Sequence, residues 1–318
     1  MHQNFDKKVR VLVTGATGFI GSHLTRRLSN EGHNVGITVR RGSDTWRIKD
    51  IIEQLTIFDT DLNDTNAVLS AVSKFKPDVV VHLAAKYVPE HGVLDILPLI
   101  QTNVLGTINL LDACKASGVK LFINTSTAFV YGSTTKPSCE TDTLNPVNLY
   151  ALTKVQAEEA CTYYAKQGLK CVTFRLSPPY GDADNERKLI PTAIRSMLFH
   201  KELKLNSGLQ EWDYTYIDDV VRAYMIALHS VEKLRANTHT IFNVGTGVPV
   251  SVKQVISMIK NYLDCDTELN WGIVSHRKNE VWYTCADIGK IADEFNWQPE
   301  VSISDGLKKT VDYFTKYP

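Results

Sequence analysis

Short β-favouring runs and runs of helical period alternate through the first half of the chain. Apolar positions cluster in Val9–Thr14, Asn34–Val39, Gln54–Phe58, Val79–Leu83, Lys120–Ser126 and Lys170–Leu176, each of strand length. Between them, Gly18–Glu31, Thr65–Lys74, Leu97–Ser117 and Leu149–Gln167 carry the spacing of helices. This alternation predicts an α/β protein, with a doubly wound parallel sheet covered on both faces and ligands at the carboxyl ends of its strands. After Pro178–Pro179 the pattern loosens. Pro191, Gly208, Gly245, Gly247, Pro249 and Gly272 interrupt shorter elements, and a last helix is predicted over Ser304–Phe314.

The first strand runs into VRVLVTGATGFIG, Val9–Gly21. Gly15 permits a sharp turn, Gly18 removes a side chain where backbone must approach a diphosphate, and Gly21 lets the next helix pack on the sheet. Backbone amides and the helix dipole then favour a pyrophosphate at that helix start. The spacing G-x-x-G-x-x-G is one residue longer at the front than G-x-G-x-x-G, and glycines also mark ordinary turns. Its position between a strand and the amphipathic Phe19–Leu28 stretch makes it the dinucleotide turn of a Rossmann sheet. The predicted division is a dinucleotide-binding domain over residues 1–176, with a returning segment near 211–243. Residues 177–210 and 244–318 form a smaller C-terminal substrate-binding lobe.

Composition acts mainly by exclusion. A chain of 318 residues can bury a substantial core, and its zero formal net charge makes no case for nucleic acid or an anionic membrane. The uncharged run Ile96–Leu111 is too short and too polar (Gln101, Thr102, Asn103, Asn109) to cross a bilayer, and the N-terminus lacks a signal-peptide stretch. Cys114, Cys139, Cys161, Cys171, Cys265 and Cys285 show no C-x-x-C pair and no histidine-rich company. Reduced thiols, no metal site and a cytoplasmic location are expected.

Two further stretches carry chemistry. An NAD site usually places an acid on the adenosine ribose about twenty residues after the glycines; here strand Val35–Val39 runs into Arg40 and Arg41. Guanidinium groups suit a ribose 2′-phosphate, so NADP(H) is expected, with NAD(H) as the alternative; the plainer reading is two solvated loop arginines. Asp59 and Asp61 follow the third strand and are expected near the adenine end. Downstream, NLYALTK sets Tyr150 and Lys154 four apart on one helix face. A phenol of pKa about 10 is a poor base at neutral pH, and a neighbouring cation is expected to bring it down. Thr125–Ser126–Thr127 end the preceding strand, at the same sheet edge.

With these residues in view, GATGFIG, VVHLAA at Val80–Ala85, QTNVLGT at Gln101–Thr107, STAFVYG at Ser126–Gly132 and YALTK together resemble an extended short-chain dehydrogenase/reductase of the NAD-dependent epimerase/dehydratase family. The resemblance continues through YIDDVVRA at Tyr216–Ala223, FNVGTG at Phe242–Gly247 and Ser251–Val255. It implies that Thr127 holds a substrate oxygen, Tyr150 is the acid/base, Lys154 supports it and Asn103 braces the active-site helix. It also implies a cofactor site of Gly15, Thr17, Gly18, Phe19, Ile20, Gly21, Arg40, Arg41, Asp61, Leu62, Leu83, Ala84, Ala85, Thr125, Tyr150, Lys154 and Ser177. His82 would line the cofactor cleft by resemblance; taken alone it reads as a core histidine. Lys86, Thr127 and Arg277 are the implied substrate contacts, and Arg187, with Lys188, is expected to supply charge in place of the family arginine missing at Trp212–Asp213–Tyr214.

Departures from the family pattern bear on substrate. Pro178 stands where nucleotide-sugar members commonly have an Asn, and Trp212–Asp213–Tyr214 replaces R-D-F, while Arg277 matches the later arginine. Ala128–Phe129 occupies the place of the acidic pair of dehydratases. The leading expectation is an NADPH-dependent reductase of a keto group, at C4, on a nucleotide-linked deoxysugar. The alternative is a nucleotide-sugar 4-epimerase using tightly bound NAD, and a third possibility is a non-catalytic NADP(H)-binding protein. A homodimer is expected through helices Leu97–Ser117 and Leu149–Gln167, with Leu99, Leu110, Ala157, Ala160 and Tyr164 as its apolar surface.

Overall fold

The computed structural model describes residues 8–318. Its main sheet has seven parallel strands: β1 (Arg10–Thr14), β2 (Asn34–Val39), β3 (Thr56–Asp59), β4 (Val79–His82), β5 (Leu121–Thr127), β6 (Cys171–Leu176) and a late strand, His239–Val244. Across the sheet the order is His239–Val244, β6, β5, β4, β1, β2, β3. The chain moves outward from β1 through β2 to β3, then crosses back to β4 on the other side of β1. The topological switch therefore lies between β1 and β4, where Thr14 pairs with His82. The turn leaving β1 and the segment leaving β4 open side by side there.

β1 is buried on both faces because its side chains alternate. Val11 and Val13 join a core with α1 (Phe19–Asn30), while Leu12 joins a second core with α2 (Thr65–Phe75). Helices α3 (Val93–Ile100), α4 (Gly106–Ala116) and α5 (Leu149–Ala165) follow, and α4 and α5 cover the α2 face. The α1 face continues through α6 (Leu189–Leu198) and α7 (Ile217–His229) into the C-terminal helices Val252–Leu263 and Ile303–Lys316. One apolar core thus joins the sheet to the later part of the chain, and among the described residues the strands outside the main sheet, such as Pro179–Tyr180 and Glu211–Trp212, are each two residues long.

Three sequence expectations change. The strand expected at Gln54–Phe58 begins at Thr56, because Gln54 ends a 3₁₀ turn. The helix expected from Leu97 begins at Val93 and runs 24 residues to Ala116, through a π-helical turn at Gln101–Leu105. By length and composition it could cross a bilayer, unlike the shorter run read from the sequence, but it packs on α2 and α5 and buries Asn103, Thr107 and Asn109. Finally, Leu99, Leu110 and Ala157 are wholly buried within the chain and Tyr164 nearly so, since they pack into its own core. The uncovered apolar side of these helices carries Leu94, Leu97, Ile100, Leu105, Leu152 and Tyr163 instead. All six cysteines are free thiols.

Candidate active site

The turn after β1 is shaped by atoms it has no room for. Gly15 has φ +73°, and a Cβ there would stand 2.6 Å from the Ala84 amide nitrogen. A Cβ on Gly21 would stand 2.1 Å from the Gly15 carbonyl oxygen. The start of α1 and the segment Leu83–Ala85 are thereby pressed against one turn. Gly18, exposed and extended, is the N-cap of α1 and supplies no side-chain cap. The amides of Phe19, Ile20 and Gly21 are donors that a helix start leaves without intrahelical partners. This cradle fits a dinucleotide diphosphate, with Thr17, Phe19 and Ile20 partly exposed around it.

The reacting groups stand at the ends of β5 and the start of α5. Thr127 closes β5, and the 3₁₀ turn that follows, Ala128–Val130, packs against α5. Asn148 begins α5 by accepting the Ala151 amide at 2.8 Å and ties it to the β4–α3 loop by donating to the Pro89 carbonyl at 3.1 Å. Such a cap is worth about 1 kcal/mol, and here it fixes the turn that carries Tyr150. Lys154 Nζ lies 6.0 Å from the centre of the Tyr150 ring. Tyr87 meets the same ring edge-on, centres 4.9 Å apart.

Burial pulls the Lys154 ammonium down to about 8, opposed by the negative charge of Glu158 one turn on. The Tyr150 phenol is pushed above its ordinary value, first by burial and then by Tyr87. The direction is the reverse of the lowering expected from Lys154, with burial first among its causes.

Asn103, on the π-helical turn, joins the two sides of the site. Its side chain accepts the Lys86 amide at 2.8 Å and donates to the Lys86 carbonyl and to Thr153 on α5, both at 3.0 Å. His82 is a core residue. It contacts Thr14 and Thr107 hydroxyls at 2.8 and 2.9 Å, and burial lowers its pKa to about 3.

Other expected residues are placed less uniformly. Arg40 and Arg41 are exposed just beyond β2. Asp61 is exposed and caps its own loop through the Asn63 amide at 2.9 Å, while Leu62 is buried and its carbonyl accepts from Asn109 at 2.8 Å. The Thr125 and Ser177 hydroxyls are engaged within the protein, by Tyr224 at 2.7 Å and Asp213 at 3.3 Å. Lys86 Nζ lies 3.7 Å from Asp95. Arg187 and Arg277 are exposed, and the charge of Arg277 acts on Tyr87.

Some contributors escaped the sequence reading. Asp213 is fully buried and accepts from Thr246 and Gly247 amides, the Thr246 hydroxyl and the Ala286 amide, which pins three loops beside the β6 exit. Arg175 on β6 forms a buried fork with Glu158 of α5 and donates to the Tyr131 hydroxyl at 2.8 Å. Tyr131 in turn donates to Asn243 at 2.7 Å. Only the Glu158 spacing, four residues beyond Lys154, could have flagged this network from sequence.

The profile of the NAD dependent epimerase/dehydratase family matches residues 11–245. A UDP-glucuronate 4-epimerase of Thermodesulfobacterium geofontis is 30% identical over 317 residues, covering 95% of either chain. Among solved structures, UDP-glucose 4-epimerase from Thermotoga maritima with UDP-glucose superposes with TM-score 0.89 at 29% identity, over 97% of this chain and 99% of that one. UDP-glucuronic acid 4-epimerase from Bacillus cereus, in complex with UDP-glucuronic acid and NAD, gives TM-score 0.86 at 29% identity, over 97% and 100%.

Proposed function

The chain belongs to the NAD-dependent epimerase/dehydratase family, and we propose that within it the protein inverts C4 of a nucleotide-linked sugar, using bound NAD. One observation carries the reading: Thr127 and the Tyr150–Lys154 pair stand at the strand ends beside the glycine cradle, in a chain similar over nearly its whole length to 4-epimerases. The same relatives favour epimerisation over the net reduction expected from the sequence.

When bound, the dinucleotide supplies reversible hydride transfer. Tyr150 takes the proton of the C4 hydroxyl as that carbon is oxidised, and returns it when the keto sugar is reduced on its opposite face. Thr127 donates a hydrogen bond to the C4 oxygen. Lys154 would hold positive charge beside the Tyr150 oxygen, offsetting the burial that raises the phenol, and would hydrogen-bond the nicotinamide ribose. Asn103 keeps α5 and the Lys86 backbone in register throughout. Residues 177–210 and 244–318 hold the nucleotide, with Arg277 and Arg187 on the diphosphate.

The protein works as a homodimer in this reading. Leu94 and Leu97 are 91% and 62% exposed on α3, and Leu152 and Tyr163 continue an apolar surface on α5; a second copy of the same helices would cover it.

Incubating the protein with a nucleotide sugar and NAD, with product NMR, tests the chemistry. C4 inversion without net cofactor consumption is expected. NADPH consumption on a 4-keto sugar, without inversion, would favour the second reading, a ketoreductase, for which exposed Arg40 and Arg41 are the supporting observation.

A further inference from the structure

Helical spacing sets Tyr150, Lys154 and Glu158 on one stripe of α5, each a turn from the next. Lys154, Glu158 and Arg175 are all buried, so three charges stand together out of water. Arg175 on β6 grips Glu158 as a fork: Nε donates to Oε1 at 3.1 Å and one terminal nitrogen to Oε2 at 2.6 Å. Its other terminal nitrogen donates to the Tyr131 hydroxyl at 2.8 Å and the Glu140 carbonyl at 3.1 Å. A guanidinium does not give up its proton, so the carboxylate it holds stays ionised.

A tie between α5 and β6 can be built from apolar side chains at lower cost, because burying two charges loses hydration that their attraction only partly returns. What this pair adds is a fixed negative charge one turn from Lys154. Burial draws the Lys154 ammonium down to about 8, and Glu158 is the largest influence in the opposite direction. The other ionisable groups packed around this part of α5 do not supply that charge. On α5 itself, burial keeps the Tyr150 phenol and the Cys161 thiol neutral, and Glu159 is exposed. His82 on β4 is neutral, as is His239 on the late strand, held by the Thr162 and Thr173 hydroxyls at 2.9 and 2.7 Å. β5 and the π-helical turn carry no charged residue. Asp95 on α3 lies 3.7 Å from Lys86, Asp112 on α4 accepts from Tyr164 at 3.1 Å, and Glu140 accepts the Asn243 amide at 2.8 Å.

We propose that Glu158, gripped by Arg175, is a positioning residue for the Tyr150–Lys154 pair: its charge keeps Lys154 an ammonium at neutral pH, so that a cation stands beside the Tyr150 oxygen when the proton moves. This deepens the 4-epimerase reading and rests on it for the proton step.

A lysine ¹³Cε NMR titration of the full chain with NAD reads the Lys154 midpoint, its signal identified by loss in Lys154→Met. A midpoint above neutrality is expected; one below it overturns the proposal, since Glu158 would then fail to keep the ammonium. Glu158→Gln alone leaves a buried guanidinium unpaired and is expected to cost stability, whereas Glu158→Gln with Arg175→Met removes the pair together, a change that buried pairs often tolerate. In that double variant the midpoint should lie at least about one pH unit lower. The basic limb of kcat for C4 inversion of UDP-glucose should move down with it. A tie that only joins α5 to β6 would change stability and leave the midpoint in place. An unchanged or raised midpoint overturns the proposal, and so does a midpoint that falls while the kcat limb stays. Should the unmutated protein invert no nucleotide sugar, the 4-epimerase reading fails, and the two midpoints alone decide whether Glu158 holds the charge on Lys154.

Discussion

Protonating His82 is expected to unlatch the crevice between β1 and β4. The neutral ring is held by a chain of directed hydrogen bonds. Thr107 donates its hydroxyl proton to the Asn103 carbonyl at 2.7 Å, so it accepts from His82 Nε2–H at 2.9 Å. The Nδ1 lone pair then accepts from the Thr14 hydroxyl at 2.8 Å, and the Thr14 oxygen accepts the Ala84 amide at 3.2 Å. A second ring proton would oppose the Thr14 hydroxyl and place a cation in a fully buried site, with Lys154 nearby. Burial and Lys154 accordingly hold the pKa at about 3, against an ordinary 6.5.

Because the folded value lies below the unfolded one, the folded protein binds fewer protons between them. The stability contributed by neutral His82 is complete above pH 6.5 and is lost as pH falls toward 3. At about 1.4 kcal/mol per unit the full effect is on the order of 4–5 kcal/mol, of which about 2 kcal/mol is gone by pH 5. Urea unfolding of the unmutated protein and His82→Gln, from pH 7 to pH 4, measures it. Glutamine retains a donor and an acceptor but gains no proton. The stability advantage of the unmutated chain should shrink by about 2 kcal/mol between pH 7 and 5. An advantage constant over that range would refute the argument.

Tyr150→Phe should lower kcat by about 10²–10⁴ with dinucleotide affinity nearly intact; near-full turnover would move the proton to another group. Arg40→Asp with Arg41→Ala should cost NADPH affinity several-fold and leave NADH unchanged, if the arginines meet a 2′-phosphate; equal NADPH and NADH dissociation constants in the unmutated protein remove them from that role. Leu97→Glu should give a monomeric mass by light scattering at micromolar concentration, because it places a charge in the centre of the uncovered α3 surface; a dimeric mass for this variant would put the contact elsewhere.

Features governed by neighbours in the chain were legible from the residues alone. Strand and helix alternation, the three glycines after β1 and the four-residue step from Tyr150 to Lys154 are local patterns, and local sterics enforce them: a Cβ at Gly15 or Gly21 collides whatever the rest of the chain does. The family resemblance rests on the same stretches. What depended on distant partners was not legible. His82 becomes a core residue only because Thr14 and Thr107 arrive on either side of it. Ser177 and Thr125 lose their free hydroxyls to Asp213 and Tyr224, far along the chain. The Tyr150 phenol rises instead of falling because of burial and Tyr87, both of which tertiary packing supplies. Leu99 and Leu110 look like surplus apolar surface in one dimension and are core in three, while Leu97 and Leu152 remain outside. Helical period tells which residues share a face; only the packed sheet and its covering helices decide which face meets the core.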